Sequence, residues 1–299
     1  MSEKKKSGVT KALVTAGIIL LIIGLVCCIG GMTALDWRFE KLSNLRYEYN
    51  AYSCEEKISQ LCVDFENADI RVTVSESAET AEISYPVAYN GKDEPKTEVT
   101  VTEENGKLNI SEKADYGWKD FLFNINWSTP KITITLPEDA VCDLELKTDK
   151  GTISVEGGNF GSVSMETSLG NVKATGLTLS ENGNFQTNAG DVILSDVVSQ
   201  KNITAETDLG DVRAEKTQSA QITLNSSCGD IKTVSIVAST IELSTSCGDI
   251  RGSIAGKKLD YRITASTSLG NNNLSDGGEG EKSLRAHTDL GDIHIEFTD

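Results

Sequence analysis

The second half of the chain alternates apolar and polar residues in short runs, and each run ends at a glycine. Before the glycine the apolar residues occupy every second position, as Ile203 and Ala205 do ahead of Gly210. After it the alternation restarts, here at Val212. A period of two places such side chains on one face of a β-strand. Each unit is therefore predicted to be a strand, a tight corner at glycine, a second strand and a return.

This unit occurs eight times, and its glycines are separated by 19 to 22 residues. The structural turn positions are Gly151, Gly170, Gly190, Gly210, Gly229, Gly248, Gly270 and Gly291. Self-similarity at this period is typical of a solenoid, in which each coil buries its apolar face against its neighbours. We therefore predict an all-β fold, a single-stranded, β-helix-like β-solenoid whose repeats fill residues 141–299.

Residues 57–140 alternate in the same way without the repeat. Leu61, Val63 and Phe65 share one face of a strand, and Asn105-Gly106 lies between two alternating runs. Asn-Gly in this position favours a tight hairpin turn. We predict a small β-sheet region that precedes the solenoid.

The amino end has a different pattern. Residues 12–35 carry no charge and follow four lysines. As a helix these 24 residues would span about 36 Å, enough to cross a bilayer, and the lysines would stay in the cytoplasm. We predict a cytoplasmic basic tail (1–11), a transmembrane helix (12–35) and a stalk (36–56), with the remainder extracellular, hence a single-pass protein of the cell membrane. The alternatives are a cleaved signal peptide, whose apolar region is shorter, and a lipoprotein signal at Cys27, where the preceding Val26 is bulky.

Charge narrows the choice of partners. From residue 36 onwards there are 24 basic and 44 acidic residues, a net charge of −20. Such a surface repels nucleic acid. It fits either simple solubility or long-range attraction of cationic peptides.

Three motifs carry a resemblance to a known family. Phe65-Glu-Asn-Ala-Asp-Ile70, Ile132-Thr-Ile-Thr-Leu-Pro137 and the recurring Thr-x-Leu-Gly-Asp-Val/Ile resemble the bacterial putative-adhesin family over about residues 58–299. The resemblance implies a cell-envelope domain of unknown function with a β-solenoid body, and it brings no catalytic residues.

The residue after each glycine is usually Asp or Asn, and a basic column lies two residues further on. Short polar side chains of this kind bond turn amides, and the basic column can pair with the acids. The alternative is a calcium site, formed by Asp208 with Asp211 or by Asp289 with Asp292. We expect turn bonding and charge pairing, with no resident cofactor.

Aromatic residues cluster just before the first repeat. Trp118, Phe121, Phe123 and Trp127 are candidate ligand contacts, since exposed rings can stack on sugars. The alternative is a plug over the first coil, because a solenoid must shield its end.

Two cysteines, Cys228 and Cys247, occupy the repeat position held elsewhere by Leu169, Leu209, Leu269 and Leu290. We predict that this column points inward and that both thiols are reduced packing residues. Five cysteines outside the apolar segment are an odd number, which cannot complete a disulfide framework.

No catalytic constellation is recognisable. Neither a Gly-x-Ser-x-Gly elbow nor a phosphate-binding loop occurs, and His287 and His294 are assigned to the outer face of the last coil. The sequence therefore favours a non-enzymatic, adhesin-like binding or scaffold protein of the envelope, acting on an envelope protein or a surface polymer. The alternatives are a sensor or decoy for cationic antimicrobial peptides and, more remotely, a polysaccharide-acting β-helix enzyme. The terminal strand Ile293–Phe297 predicts self-association through the C-terminal coil, because an open edge invites strand pairing.

Overall fold

The computed structural model describes residues 20–30, 32–33, 45–54, 56–90, 93–115 and 129–298. Residues 20–30, 32 and 33 are helical. Across the described ranges, none of the helices has both the length and the apolar character needed to traverse a bilayer. Residues 12–19, 31, 34 and 35 of the predicted span lie outside those ranges, so the anchor stays a prediction.

The rest of the regular structure within the described ranges is β, apart from a single 3-10 turn, Lys258–Asp260. The strands before the repeats are β1 (Arg46–Ser53), β2 (Gln60–Asn67), β3 (Asp69–Ser75), β4 (Glu82–Tyr89), β5 (Thr97–Glu104), β6 (Lys107–Ala114) and β7 (Lys131–Pro137). The strands of the repeats are β8 (Asp143–Lys150), β9 (Ile153–Glu156), β10 (Asn159–Phe160), β11 (Val163–Leu169), β12 (Val172–Thr175), β13 (Thr178–Leu179), β14 (Gly183–Ala189), β15 (Val192–Ser195), β16 (Val198–Ser199), β17 (Asn202–Leu209), β18 (Val212–Glu215), β19 (Gln221–Cys228), β20 (Ile231–Ile236), β21 (Thr240–Cys247), β22 (Ile250–Ala255), β23 (Tyr261–Leu269), β24 (Lys282–Leu290) and β25 (Ile293–Thr298).

The strands build two long sheets and one short one. Sheet A has the order β1-β4-β7-β3-β9-β12-β15-β18-β20-β22-β25, and sheet B has the order β23-β24-β21-β19-β17-β14-β11-β8-β2-β6-β5. The third sheet is β10-β13-β16. Within the repeats the paired strands of the two long sheets run parallel and in register, apart from a bulge between β20 and β22. Each coil contributes one strand to each long sheet, except the coil of Gly270, which contributes only β23 to sheet B. The predicted β-solenoid is confirmed.

The alternating residues of both sheets point inward and stack into columns. Ile203, Ala205 and Val212 are fully buried, and buried apolar residues form one continuous core from Cys54 to Ile295. Where a large ring enters a column, a small residue makes room for it. A Cβ at Gly183 would lie 2.8 Å from the ring of Phe185.

The region before the repeats continues the same stack. β2 and β3 pair in parallel with β8 and β9, and β6 and β7 pair in parallel with β2 and β3. Ala68 sits at their corner, where the repeats have glycine. Both long sheets therefore run across the predicted boundary at residues 140 and 141. Residues 46–53, assigned to the stalk from sequence, form β1 at the edge of sheet A.

Antiparallel strands finish this end. β5 pairs with β6 across Asn105-Gly106, both with positive φ (53° and 75°), so the predicted hairpin is confirmed. Positive φ at both central residues is the geometry that Asn-Gly favours.

The last two coils stack in reverse of their chain order. β24 lies on β21, and β23 lies outside β24, so the corner order is Gly248, Gly291, Gly270. The expectation that coils stack in sequence holds up to Gly248 and is wrong beyond it. The irregular segment that follows Gly270 explains the change, because it folds back over the outermost strand instead of starting another coil.

That segment covers the exposed edge of β23. Gly277 and Ile263 exchange backbone hydrogen bonds of 2.7 and 3.0 Å, and the carboxylate of Asp276 accepts a bond from the amide of Ala265 at 2.8 Å. Beneath it the buried ring of Tyr261 packs on Phe297, with ring centroids 5.6 Å apart. The strand Ile293–Phe297 is also bonded on its outer side, by Asn273. The rod therefore ends in a partly capped edge.

Candidate functional site

Each corner leaves a backbone carbonyl that the sheets do not use, and the repeat supplies a hydroxyl for it. A Cβ at Gly210 would lie 2.0 Å from the carbonyl oxygen of Gly190 in the neighbouring coil, so only glycine fits there. That carbonyl accepts a hydrogen bond of 2.9 Å from the hydroxyl of Thr207. The equivalent donors are Thr148, Thr167, Thr187, Ser226, Thr245, Thr288 and Thr267. The Thr-x-x-Gly spacing thus satisfies a polar group that would otherwise be buried without a partner.

The acidic residue after each glycine bonds the next coil. Oδ1 of Asp191 accepts a hydrogen bond from the amide of Asp211, and Oδ1 of Asp211 accepts one from the amide of Asp230, both at 2.9 Å. The equivalent acceptors are Asp69, Asn171, Asp230, Asp249 and Asp292. Turn residues had been expected to bond turn amides, and here the amide belongs to the neighbouring coil.

Basic side chains neutralise part of this acidic column. Lys232 Nζ lies 2.7 Å from Oδ2 of Asp211 and 3.3 Å from Oδ2 of Asp230. Partial desolvation raises the pKa of Asp211, but the bonds from Lys232 and from the Asp230 amide outweigh it and keep that pKa below its usual value. Both oxygens of the Asp211 carboxylate are therefore engaged.

The calcium hypothesis finds little to support it. Among the residues that the structure describes, no three His, Cys, Asp or Glu side chains lie close enough together to hold a metal ion. Asp208 with Asp211 and Asp289 with Asp292 each lack a third acidic partner within that part of the chain.

The column assigned to the interior from sequence is on the surface. Cys228 and Cys247 are exposed, and Leu169, Leu209, Leu269 and Leu290 are 53, 59, 68 and 48 % exposed. The prediction was wrong because the strand alternation ends at the buried Thr of each coil, and the two residues between Thr and Gly both face solvent. The result is an exposed apolar column, consisting of Leu169, Ala189, Leu209, Cys228, Cys247, Leu290 and Leu269 in register.

A polar groove lies beside the apolar column, on the outer face of sheet B. It encloses about 300 Å³ and is lined by hydroxyl, amide and carboxylate side chains. The groove forms because side chains that lie next to each other become shorter from β17 to β21. An example is the in-register column Glu206, Asn225 and Ser244. Asn225 Nδ2 donates to Glu206 Oε1 at 2.9 Å. The groove therefore offers a shallow hydrogen-bonding floor next to an apolar rim.

Sequence reasoning missed this groove, although its signal was visible. The outward-facing residues of β17, β19 and β21 are polar and several are small, including Ser227, Ser244 and Ser246. Only the register shows that these residues lie side by side.

A row of three polar residues crosses the last two layers. His287 Nδ1 lies 2.9 Å from the hydroxyl of Ser266, and its Nε2 lies 3.4 Å from Oδ1 of Asp289. Sequence reasoning had placed no nucleophile beside His287, and the reversed stacking puts Ser266 there. The row lies on a solvent-exposed strand surface, and the amides of β23 and β24 around it belong to the parallel ladder. It lacks the converging N–H donors that acyl transfer requires.

Two of three buried thiols belong to the core. Cys54, Cys62 and Cys142 are all buried and free, but only Cys54 and Cys142 join the core, because the Sγ of Cys62 lies 3.5 Å from Oε2 of Glu145. Desolvation raises the pKa of Cys54 to about 11 and that of Cys142 to about 12, so both are protonated at neutral pH. They act as apolar packing residues. The aromatic candidates Trp118, Phe121, Phe123 and Trp127 lie outside the described residues.

A family model for the Toastrack DUF4097 domain matches residues 58–296, the whole of the two long sheets apart from β1 and the last residues of β25. The chain belongs to the Toastrack DUF4097 family. The Toastrack domain is a family of unknown function that includes putative adhesins. No curated protein matches the sequence.

Several solved structures match this chain at low sequence identity. A putative adhesin from Bacteroides fragilis is 16% identical with a TM-score of 0.49, the alignment covering 84% of this chain and 97% of that one. A putative adhesin from Parabacteroides distasonis is 8% identical with a TM-score of 0.39, covering 83% and 97%. A putative lipid binding protein from Parabacteroides distasonis is 13% identical with a TM-score of 0.38, covering 83% and 97%.

Proposed function

We propose that this Toastrack protein is a non-enzymatic, membrane-anchored envelope protein whose extracellular β-solenoid binds a polyhydroxylated surface polymer in an adhesin-like way. The observation that carries the proposal is the polar groove with its apolar rim. Membership in the family and the adhesin names of its solved relatives are consistent with binding.

The groove matches the chemistry of a sugar chain. Hydroxyl groups pair with a floor of Ser, Asn, Gln and carboxylate side chains, while the C–H faces of sugar rings pack on apolar surface such as Leu209. The 4.8 Å spacing of stacked coils repeats the same groups along the rod, which suits a repeating ligand. A long chain then gains affinity by contacting several coils at once.

The anchoring part of the proposal rests on the sequence. The uncharged run at residues 12–35 and the lysines before it favour a single span with the amino end in the cytoplasm. The orientation is tested by fusing to residue 299 a reporter that is active only outside the cytoplasm. If that fusion is inactive while a fusion to a reporter active only in the cytoplasm is active, the proposed anchoring is wrong.

The binding part is tested by filling the groove. The full chain carrying Ser246→Tyr is compared with wild type for binding to soluble peptidoglycan fragments and to dextran, with Ser168→Tyr as the matched control. Ser168 occupies the same position of its coil as Ser246 and is also exposed, but it lies in β11, which contributes no residue to the groove. We expect Ser246→Tyr alone to abolish binding. Binding that is lost equally in both variants, or in neither, would contradict the groove as the site.

Salt separates the polymer from the cationic-peptide alternative. Capture of polylysine by the net charge of −20 would weaken steeply between low and physiological ionic strength, whereas binding through hydroxyl groups would change little. A strongly salt-dependent signal confined to polylysine would replace the polymer proposal with the decoy function.

A further inference from the structure

Two exposed thiols stand next to each other in the middle of the apolar column. Cys228 and Cys247 are in-register partners on the parallel strands β19 and β21. Both are free and exposed, and their neighbours in the column are Leu209 and Leu290. They are the only pair of cysteines at equivalent positions of adjacent coils in the described repeats.

The backbone holds the two thiols at a fixed separation. The amide of Gly229 donates to the carbonyl of Cys247 at 2.9 Å, and a Cβ at Gly248 would lie 2.0 Å from the carbonyl oxygen of Gly229. Neither coil can approach the other any further at this corner. In-register parallel strands keep equivalent Cβ atoms about 4.8 Å apart, whereas a disulfide needs about 3.5–4.5 Å. A disulfide between these residues would therefore be strained.

A metal bridge fits the same spacing. Two metal–sulfur bonds of about 2.3 Å, the length found with zinc, span roughly 4.6 Å. A two-coordinate ion needs no third protein ligand, which agrees with the absence of larger ligand groups in the described residues. Soft thiolates select Cu(I) over hard cations.

We propose that Cys228 and Cys247 form a two-thiol site for a soft monovalent ion of the Cu(I) class. On binding, each S–H bond breaks, both protons pass to solvent, and two sulfur–metal bonds form, leaving a complex of net charge −1. No electron is transferred. Leu209 and Leu290 flank the ion along the column and limit access of water.

The test is a copper competition with the reduced full chain. Cu(I) is presented with a chromogenic Cu(I) chelator, and the copper retained by the protein is measured for wild type, Cys228→Ser, Cys247→Ser and the double variant. A two-thiol site predicts that each single variant and the double variant lose the same single equivalent. Leu169→Ser is the matched control, because Leu169 lies in the same column but is in register with neither thiol, and it should retain that equivalent. Leu209→Cys adds a third sulfur in register with Cys228 and should strengthen retention.

Three results would overturn the proposal. One is retention that is unchanged in all the serine variants. Another is losses that add up from the single variants to the double, since independent thiols would behave in that way. The third is peptide mass mapping that finds a Cys228–Cys247 disulfide in protein purified in air, because a ready disulfide would contradict the fixed spacing. Circular dichroism of each variant separates loss of the site from loss of the fold.

Discussion

In the middle of the solenoid a strand such as β17 has a coil on both sides, whereas β23 at the carboxyl end has a coil on only one. The middle strand relies on a strict repeat, in which Thr207 bonds one neighbouring corner and Asp211 the other. The end strand relies on an irregular segment, in which Gly277 and Asp276 cover its edge. The coil of β23 itself keeps Thr267 and Gly270, and only the alternation after that glycine is lost, so no strand of sheet A follows it. The comparison teaches that the second half of the repeat is needed only where another coil stacks outside it.

Replacing a middle corner glycine should give the largest effect. Gly210→Ala places a methyl group 2.0 Å from the carbonyl oxygen of Gly190, so two coils must separate. We expect a loss of about 4 kcal/mol or more in the free energy of unfolding, measured by urea denaturation. The control is Gly157→Ala, where nothing lies within 4 Å and only the positive φ costs about 1–2 kcal/mol. Similar losses for both variants would contradict the close approach.

Removing a corner hydroxyl should have an intermediate effect that depends on position. Thr207→Val leaves the carbonyl of Gly190 buried without its donor and should cost about 1–3 kcal/mol by the same measurement. Thr267→Val, in the outermost layer, should cost less, because Thr267 is partly exposed and water can replace the hydroxyl. Thr204→Val, on the outer face of β17, is the control and should change stability by no more than about 0.5 kcal/mol.

The amino end adds an acidic group with a pH signature. Desolvation raises the pKa of Glu112 to about 7, against the opposing bonds from the amides of Glu66 and Asn67. The folded state then binds the proton more tightly than the unfolded state, so this group's stabilising contribution is complete below about pH 4.5 and is lost as the pH rises through about 7. Glu112→Gln should therefore raise stability by roughly 1–3 kcal/mol at pH 8 and by little at pH 4.

Urea midpoints at both pH values measure this, with Glu79→Gln as the control because Glu79 is exposed in a loop. An equal gain at both pH values would mean that Glu112 does not titrate in this range.

The exposed apolar column should give the smallest effect on stability. Leu209→Ser should change the free energy of unfolding by no more than about 0.5 kcal/mol, since 59% of Leu209 is exposed. The buried Leu224, one strand away, should cost about 2–5 kcal/mol when changed to Ala. A large loss for Leu209→Ser would restore the inward assignment made from sequence.

The repeat made most of the fold predictable, and the exceptions have physical causes. Alternation and the glycine period gave the coils, because a strand must bury one face and a corner must let two backbones touch. The inward assignment of Cys228 failed because alternation does not reveal where a strand stops and its corner begins. The groove was hidden because it is made by residues about twenty positions apart, such as Glu206 and Asn225, whose side-by-side placement depends on the register.

The reversed order of β23 and β24 has a consequence for how the molecule is made. From β8 to β22, a chain that emerges amino end first can stack each new coil on the preceding one. β23 then has no inner neighbour until residues 282–290 have been synthesised, because β24 must slot between it and β21. The closing step thus waits for the final residues. It also limits the length of the solenoid. A duplicated repeat can be inserted before Ala255, but it cannot be added after β24 has paired with β21 and β23.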